Sequence, residues 1–325
     1  MLLDEKRFEG NLGVLPNILK KEMLLRRGNP AHETYRTGIV VNGGAMRGTI
    51  GAAQLAALYD FGILSAFDVA FTGSTGTPPT LFYGSGDIAH TRDVYYKECT
   101  TDTFLSFARL VAWRTNPSLA PAMNIDYLCD DVLGMRFNAD TYRLWRTAHY
   151  ATVTTSEGES AYLDMKALPD PMQGTKASIA IPGLSRGHVA IGDKIYFDGD
   201  GAAPFPAAEA INRFSLTDIL VLANRPRPKE DRTGRALSEE AIPKDSPYLQ
   251  KVPVGVREAF ATKHLRYVDG LDALRKQKTC RYLIIWTDGS IGQFTTNAKR
   301  LKAASCAAQQ ELRSVLQECQ VPMNA

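Results

Sequence analysis

Cysteine is scarce in this chain: Cys99, Cys129, Cys280, Cys306 and Cys319 are odd in number and far apart. That spacing excludes a disulfide framework and paired zinc ligands, and it suits a reducing, cytoplasmic setting. Long apolar runs are missing as well, since no stretch reaches the ~18 residues a spanning helix needs. The opening M-L-L-D-E-K-R-F mixes acids and bases before any apolar run, unlike a signal peptide. Neither sign of charge dominates: 38 Lys and Arg face 35 Asp and Glu, dispersed among one another. A nucleic-acid footprint would need clustered basic residues, so nucleic acid is not an expected partner. The five histidines (His32, His90, His149, His188, His264) sit in no context that marks a triad base. They read as structural or surface residues, His188 least securely. No ligand cluster for a metal is evident, no cofactor is implied, and no internal repeat occurs.

What the chain does have is an ordinary globular composition, 44% hydrophobic and 22% charged over 325 residues, enough for a sizeable core. Apolar β-branched runs alternate with helical patterns, which predicts a single α/β domain with a mostly parallel sheet and helices on both faces. Strands are expected at 37–41, 69–71, 194–197, 218–222 and 281–286, with a hairpin over 151–155 and 161–163 turning at Glu157–Gly158. A helix is expected from Gly48 to Tyr59, with Gly62 as its stop signal. Residues 88–134 read as largely helical, with breaks near Asn116–Pro117 and Pro121. Residues 225–247 read as an exposed loop or lid, and 296–318 as a closing helix. The organisation expected is an N-terminal extension (1–35), a core (36–225) and a C-terminal region (226–325) packed on that core within the same domain.

Three turns follow predicted strands: N-G-G-A-M-R-G at 42–48, T-G-S-T-G at 72–76 and D-G-D-G at 198–201. Gly43, Gly44 and Gly48 free backbone N–H groups to point outward, and the following helix N-terminus adds positive potential. Such a turn holds a phosphate or a developing oxyanion, or is simply tight. It is not a G-x-G-x-x-G fingerprint and lacks the G-K-[ST] of a P-loop. Ser74 sits in a strand–turn–helix setting like the nucleophile elbow G-x-S-x-G, with Thr72 at the first glycine and Gly76 kept. Asp198 ends an apolar strand, where Asp-Gly is also a common turn dipeptide. Their co-occurrence argues for one site, because strand-end turns gather at one edge of a parallel sheet.

From about Gly38 to Leu222 the chain resembles the bacterial patatin-like phospholipases. Gly43, Gly44, Arg47 and Gly48 resemble that family's glycine-rich oxyanion loop, with Ala45 in place of its third glycine. F-D-V-A-F-T-G-S-T-G-T is similar to its strand and elbow, with Gly73 and Gly76 flanking Ser74. I-Y-F-D-G-D-G-A-A-P-F-P is similar to its aspartate block, and A-I-N-R-F and D-I-L-V-L-A-N-R-P also fit. The resemblance implies a Ser74–Asp198 dyad without histidine, in which Asp198 takes the serine proton and Ser74 forms an acyl-enzyme. It implies N–H groups near Gly44 and Ala45 holding the oxyanion, with Arg47 fixing the loop or meeting an anionic head group. The implied activity is hydrolysis of lipid or small acyl esters, with transient membrane-surface contact. The alternatives are an acyltransferase using the same dyad, or a catalytically inactive module that binds lipid or protein.

Several residues depart from the family pattern. Thr72 is β-branched and fits poorly wherever the elbow needs unusual backbone angles. Pro78 and Pro79 fall just inside the next helix, which is expected to be distorted or to start late. Asp200 puts a second carboxylate beside Asp198; the expectation is that Asp198 faces Ser74 and Asp200 turns away, the alternative being that Asp200 tunes the base upward. The run F-L-S-F-A-R-L-V-A-W at 104–113 is apolar at nearly every helical position. It suits a buried core helix better than an acyl pocket or a membrane contact.

Overall fold

The computed structural model describes residues 6–106, 108–109, 121–185, 187–234, 236–237 and 249–320. Nine strands among them form one sheet. They are β1 Phe8–Gly10, β2 Thr37–Val41, β3 Val69–Gly73, β4 Ala148–Thr155, β5 Ser160–Asp164, β6 Val189–Ile191, β7 Lys194–Asp198, β8 Asp218–Pro226 and β9 Arg281–Thr287. The spatial order is β1-β9-β8-β2-β3-β4-β7-β6, with β5 also on β4. The central strands β9, β8, β2, β3 and β4 run parallel, while β1, β5, β6 and β7 join through antiparallel pairs.

The helices that matter here are α1 Val14–Arg26, α2 Gly48–Asp60, α3 Thr77–Ser85, α4 Ile88–Lys97, α5 Pro171–Ser178, α6 Ala207–Phe214, α7 Val254–Arg275 and α8 Ala298–Gln320. They cover both faces of the sheet, because the central strands are apolar on both sides and alternate between two cores. Ile39 and Val41 of β2, Leu220 and Leu222 of β8, and Leu283 and Ile285 of β9 join α1, α2 and α8. Val40, Val221, Ile284 and Trp286 point the other way, into a core shared with α6 and α7. Each fully buried side chain of this kind contributes about 1.5–3 kcal/mol relative to exposure. None of the described helices is long and apolar enough to cross a membrane.

The α/β class and the expected strands are found, with β2 at the predicted bounds. The predicted hairpin is the β4–β5 pair. The stretch before β2 supplies an edge strand and a helix that buries Val14, Leu15, Ile18 and Leu19. Within 88–134, α4 is followed by turns, an isolated bridge between Leu105 and Met123, and a π-helical turn over Tyr127–Gly134. The expected break at Asn116–Pro117, half of the apolar run at 104–113 and part of the 225–247 loop lie outside the described residues.

Candidate active site

Ser74 stands immediately after β3 and is one of four non-glycine residues with positive φ among the described residues, at +47°. This left-handed turn costs an L-residue ~1–2 kcal/mol and swings the side chain off the strand line. The strain falls on Ser74 itself, whereas Thr72 lies within β3, paired in register with Val41 and Ala151. The β-branched residue therefore occupies regular strand backbone, where it fits well, and its hydroxyl meets His149 Nε2 at 3.0 Å. The anticipated elbow clash does not occur. Nor is the next helix disturbed: α3 starts at Thr77 with Pro78 and Pro79 in its first turn. There a missing N–H removes no helical hydrogen bond.

The Ser74 hydroxyl donates to Asp198 Oδ2 at 2.7 Å, and both residues are almost wholly buried. One corrected expectation concerns how Asp198 arrives. Its strand, β7, is not parallel to the central strands but runs antiparallel to β4, with Asp198 opposite Val153. Gly73 is paired with Thr152, so the two turns meet over adjacent residues of β4. Strand offset, rather than shared direction, brings them together.

The end of α5 clamps both turns. Ser178 Oγ accepts the Ser74 N–H at 3.0 Å and donates to the Thr152 carbonyl at 2.9 Å. That leaves the Thr77 hydroxyl as donor to Ser178 Oγ at 2.9 Å. The Asp198 N–H donates to the Ala180 carbonyl at 2.9 Å, and the Thr154 hydroxyl donates to the Asp198 carbonyl at 2.7 Å. Burial first, and the neighbouring Asp200 charge second, push the Asp198 carboxyl up to about 7. Hydrogen bonds from Ser74 and the Asp200 N–H act in the opposite direction.

The glycine loop lies against this pair. A Cβ on Gly43 would run into Asp200 Oδ1 and come within 2.7 Å of Ser74 Cβ, so only glycine permits the approach. Gly44 was expected to offer a free donor, but its N–H goes to Thr75 Oγ1 at 3.1 Å. Ala45 adopts a left-handed conformation, φ +51°, and its N–H has no acceptor among the described residues. The Met46 N–H donates to the Gln293 carbonyl at 3.0 Å. Arg47 is buried and its Nε donates to the Gly44 carbonyl at 3.4 Å, which suits fixing the loop. Gly48 opens α2 under Tyr95, whose hydroxyl donates to the Thr75 carbonyl at 2.6 Å, and Gly76 lies against the Val41 carbonyl.

Asp200 remains at the site rather than leaving it. Its N–H donates to Asp198 Oδ1 at 2.8 Å, and its Oδ2 accepts from Arg225 at 2.8 Å. Asn224, φ +42°, ties the loop down: its amide donates to the Asn42 carbonyl at 2.7 Å and its Oδ1 accepts from the Gly51 N–H at 2.8 Å. Sequence reading passed over Asn224, Arg225, Ser178, Thr152 and Gln293. Only the polar A-N-R-P ending of an apolar strand hinted at the first two.

Ser74 lies on an apolar cavity of about 50 Å³. Met46, Phe104, Leu128, Leu133, Ile181 and Leu184 are among its walls. His149 is fully buried between Thr72 and the Tyr142 hydroxyl, and burial drives its ring down to about 3, so it is neutral. No histidine hydrogen-bonds Ser74 or Asp198 among the described residues.

No protein-family model and no curated protein matches this chain. Among solved structures it is similar to VipD from Legionella pneumophila, at 12% identity and a TM-score of 0.39 over 85% of this chain and 74% of that one. Identity this low leaves every functional assignment to the chain's own geometry.

Proposed function

We propose that this chain is a serine acyl-ester hydrolase of the patatin-like type, acting on lipid acyl esters through Ser74 and Asp198. The observation that carries the reading is a strained, left-handed serine whose Oγ is 2.7 Å from a buried carboxylate, beside an apolar cavity. Ionised Asp198 takes the Ser74 proton as Oγ bonds to the ester carbonyl carbon. The carbonyl oxygen becomes an oxyanion, which the free Ala45 N–H and the α2 N-terminus can stabilise. Losing one such donor commonly costs ~3 kcal/mol of transition-state stabilisation. Protonated Asp198 then returns its proton to the leaving alkoxide. Water enters by the same route in reverse and frees the fatty acid and Ser74. A carboxyl held at about 7 is a stronger base than an ordinary one, so turnover should rise with pH through about 7.

Fluorophosphonate labelling and ester turnover test the proposal together. Wild type should label stoichiometrically at Ser74, and Ser74→Ala and Asp198→Asn should lose turnover while keeping the fold. Turnover that survives in Ser74→Ala would end the reading. A wild type that neither labels nor turns over short-chain esters would return the chain to the binding-module alternative. Glycerol added as acceptor separates transfer from hydrolysis by its acylated product.

A further inference from the structure

Asp200 poses an electrostatic problem that this chain must solve. Asp200 touches both halves of the site, its backbone N–H donating to Asp198 Oδ1 and its carboxylate Oδ1 lying against Gly43. An uncompensated negative charge there would hold Asp198 protonated and oppose an oxyanion beside the Gly43 loop. The compensating charge comes from β8. A register shift between Leu222 and Pro226, with Asn224 left-handed, breaks the regular alternation of β8 just before Arg225. Arg225 is 2% exposed, its Nη2 meets Asp200 Oδ2 at 2.8 Å, and its guanidinium lies 4.6 Å from the Tyr267 ring centroid on α7. Burying a guanidinium this completely is costly unless it is paired and stacked, and both conditions are met.

We propose that Arg225 is a positioning residue that neutralises Asp200, so that Asp198 can ionise beside Ser74 and the glycine loop can accept negative charge. The role deepens the hydrolase reading and rests on it. The charged groups that bear on Asp198 are Asp200 from its own turn and Lys263 from α7, and Arg225 from β8 pairs with Asp200. Tyr267 from α7 stacks on Arg225, while Ser178 of α5 and Thr152 and Thr154 of β4 present only hydroxyls.

The test is a carbon-13 carboxyl NMR titration of the Asp198–Asp200 pair, set beside the acidic limb of the pH–rate profile. Four proteins are compared: wild type, Arg225→Met, Asp200→Asn and the double variant. In Arg225→Met the upper midpoint of the pair should rise by about one pH unit, because the two carboxylates then share a proton. Asp200→Asn should fall below wild type, and the double variant should fall with it, since removing the carboxylate removes the need for the cation. A midpoint unmoved in Arg225→Met, or a rise that persists in the double variant, would overturn the proposal. Should Arg225→Met fail to fold, Arg225→Gln keeps a hydrogen-bond donor without the charge and carries the same expectation. The titration reads the pair whether or not esters are cleaved. A chain that titrates as expected but shows no turnover would lose the hydrolase reading alone.

Discussion

Asp198→Asn should make the protein more stable at alkaline pH while abolishing ester turnover. Asp198 is 1% exposed, and burial together with the Asp200 charge raises its carboxyl to about 7, against ~3.9 in an unfolded chain. The folded state thus binds a proton that the unfolded state has released. Stability is full below about pH 4, falls as pH rises, and reaches its lowest level above about pH 7. The raised carboxyl costs stability by roughly 4 kcal/mol at pH 8, where it stays ionised inside the fold, and by roughly 1–2 kcal/mol at pH 5, where folding must protonate it. Asparagine removes that cost and can keep both hydrogen bonds: its oxygen accepts the Asp200 N–H, and its amide donates to Ser74 Oγ. Urea unfolding of wild type and variant at pH 5 and pH 8 measures the difference directly. The variant should gain at both values, by about 2–3 kcal/mol more at pH 8 than at pH 5. A variant no more stable than wild type at pH 8, or a gain equal at the two values, would refute the reasoning.

Other substitutions test the surroundings of the pair. Gly43→Ala drives a Cβ into Asp200, which Arg225 holds in place, so it should cost about 1–3 kcal/mol of stability and at least tenfold in turnover; unaltered turnover would deny the close approach. Ala45→Val puts a β-branched residue at φ +51° and should cost about 1–3 kcal/mol in thermal or urea unfolding, whereas Ala45→Gly should not; equal effects would argue against a left-handed Ala45. Leu184→Trp fills part of the apolar cavity and should lower turnover of long-chain esters relative to short-chain ones; a proportionate loss on both would place the acyl chain elsewhere.

Local patterning made much of the architecture legible in the order of residues alone. Strands such as T-G-I-V-V and D-I-L-V-L are runs of apolar residues because they are buried on both faces, and the alternation of their side chains between two cores follows from the pleat. Turn chemistry is equally local, so Ser74 and Asp198 stood out at the ends of apolar runs, and the structure brings their side chains together. Edge strand β1 was not legible, because three residues carry too little periodicity and their pairing depends on the distant β9.

Tertiary structure decided the rest, wherever the outcome depends on which strand lies beside which. The direction of β7, the Ser178 clamp on both turns, the capture of the Gly44 N–H by Thr75 and the Arg225–Asp200 pair all join residues from separate elements. Proline after Ser74 and threonine before Gly73 looked disruptive in a string of letters. They are harmless in the fold, since Pro78 and Pro79 fall where a helix has no N–H to lose and Thr72 lies on regular strand backbone. Residue types and local periodicity thus marked the strands and two of the side chains in the site. The charge that lets those two coexist with Asp200 arrives from β8, 25 residues further along the chain, through a bulge that no local pattern encodes.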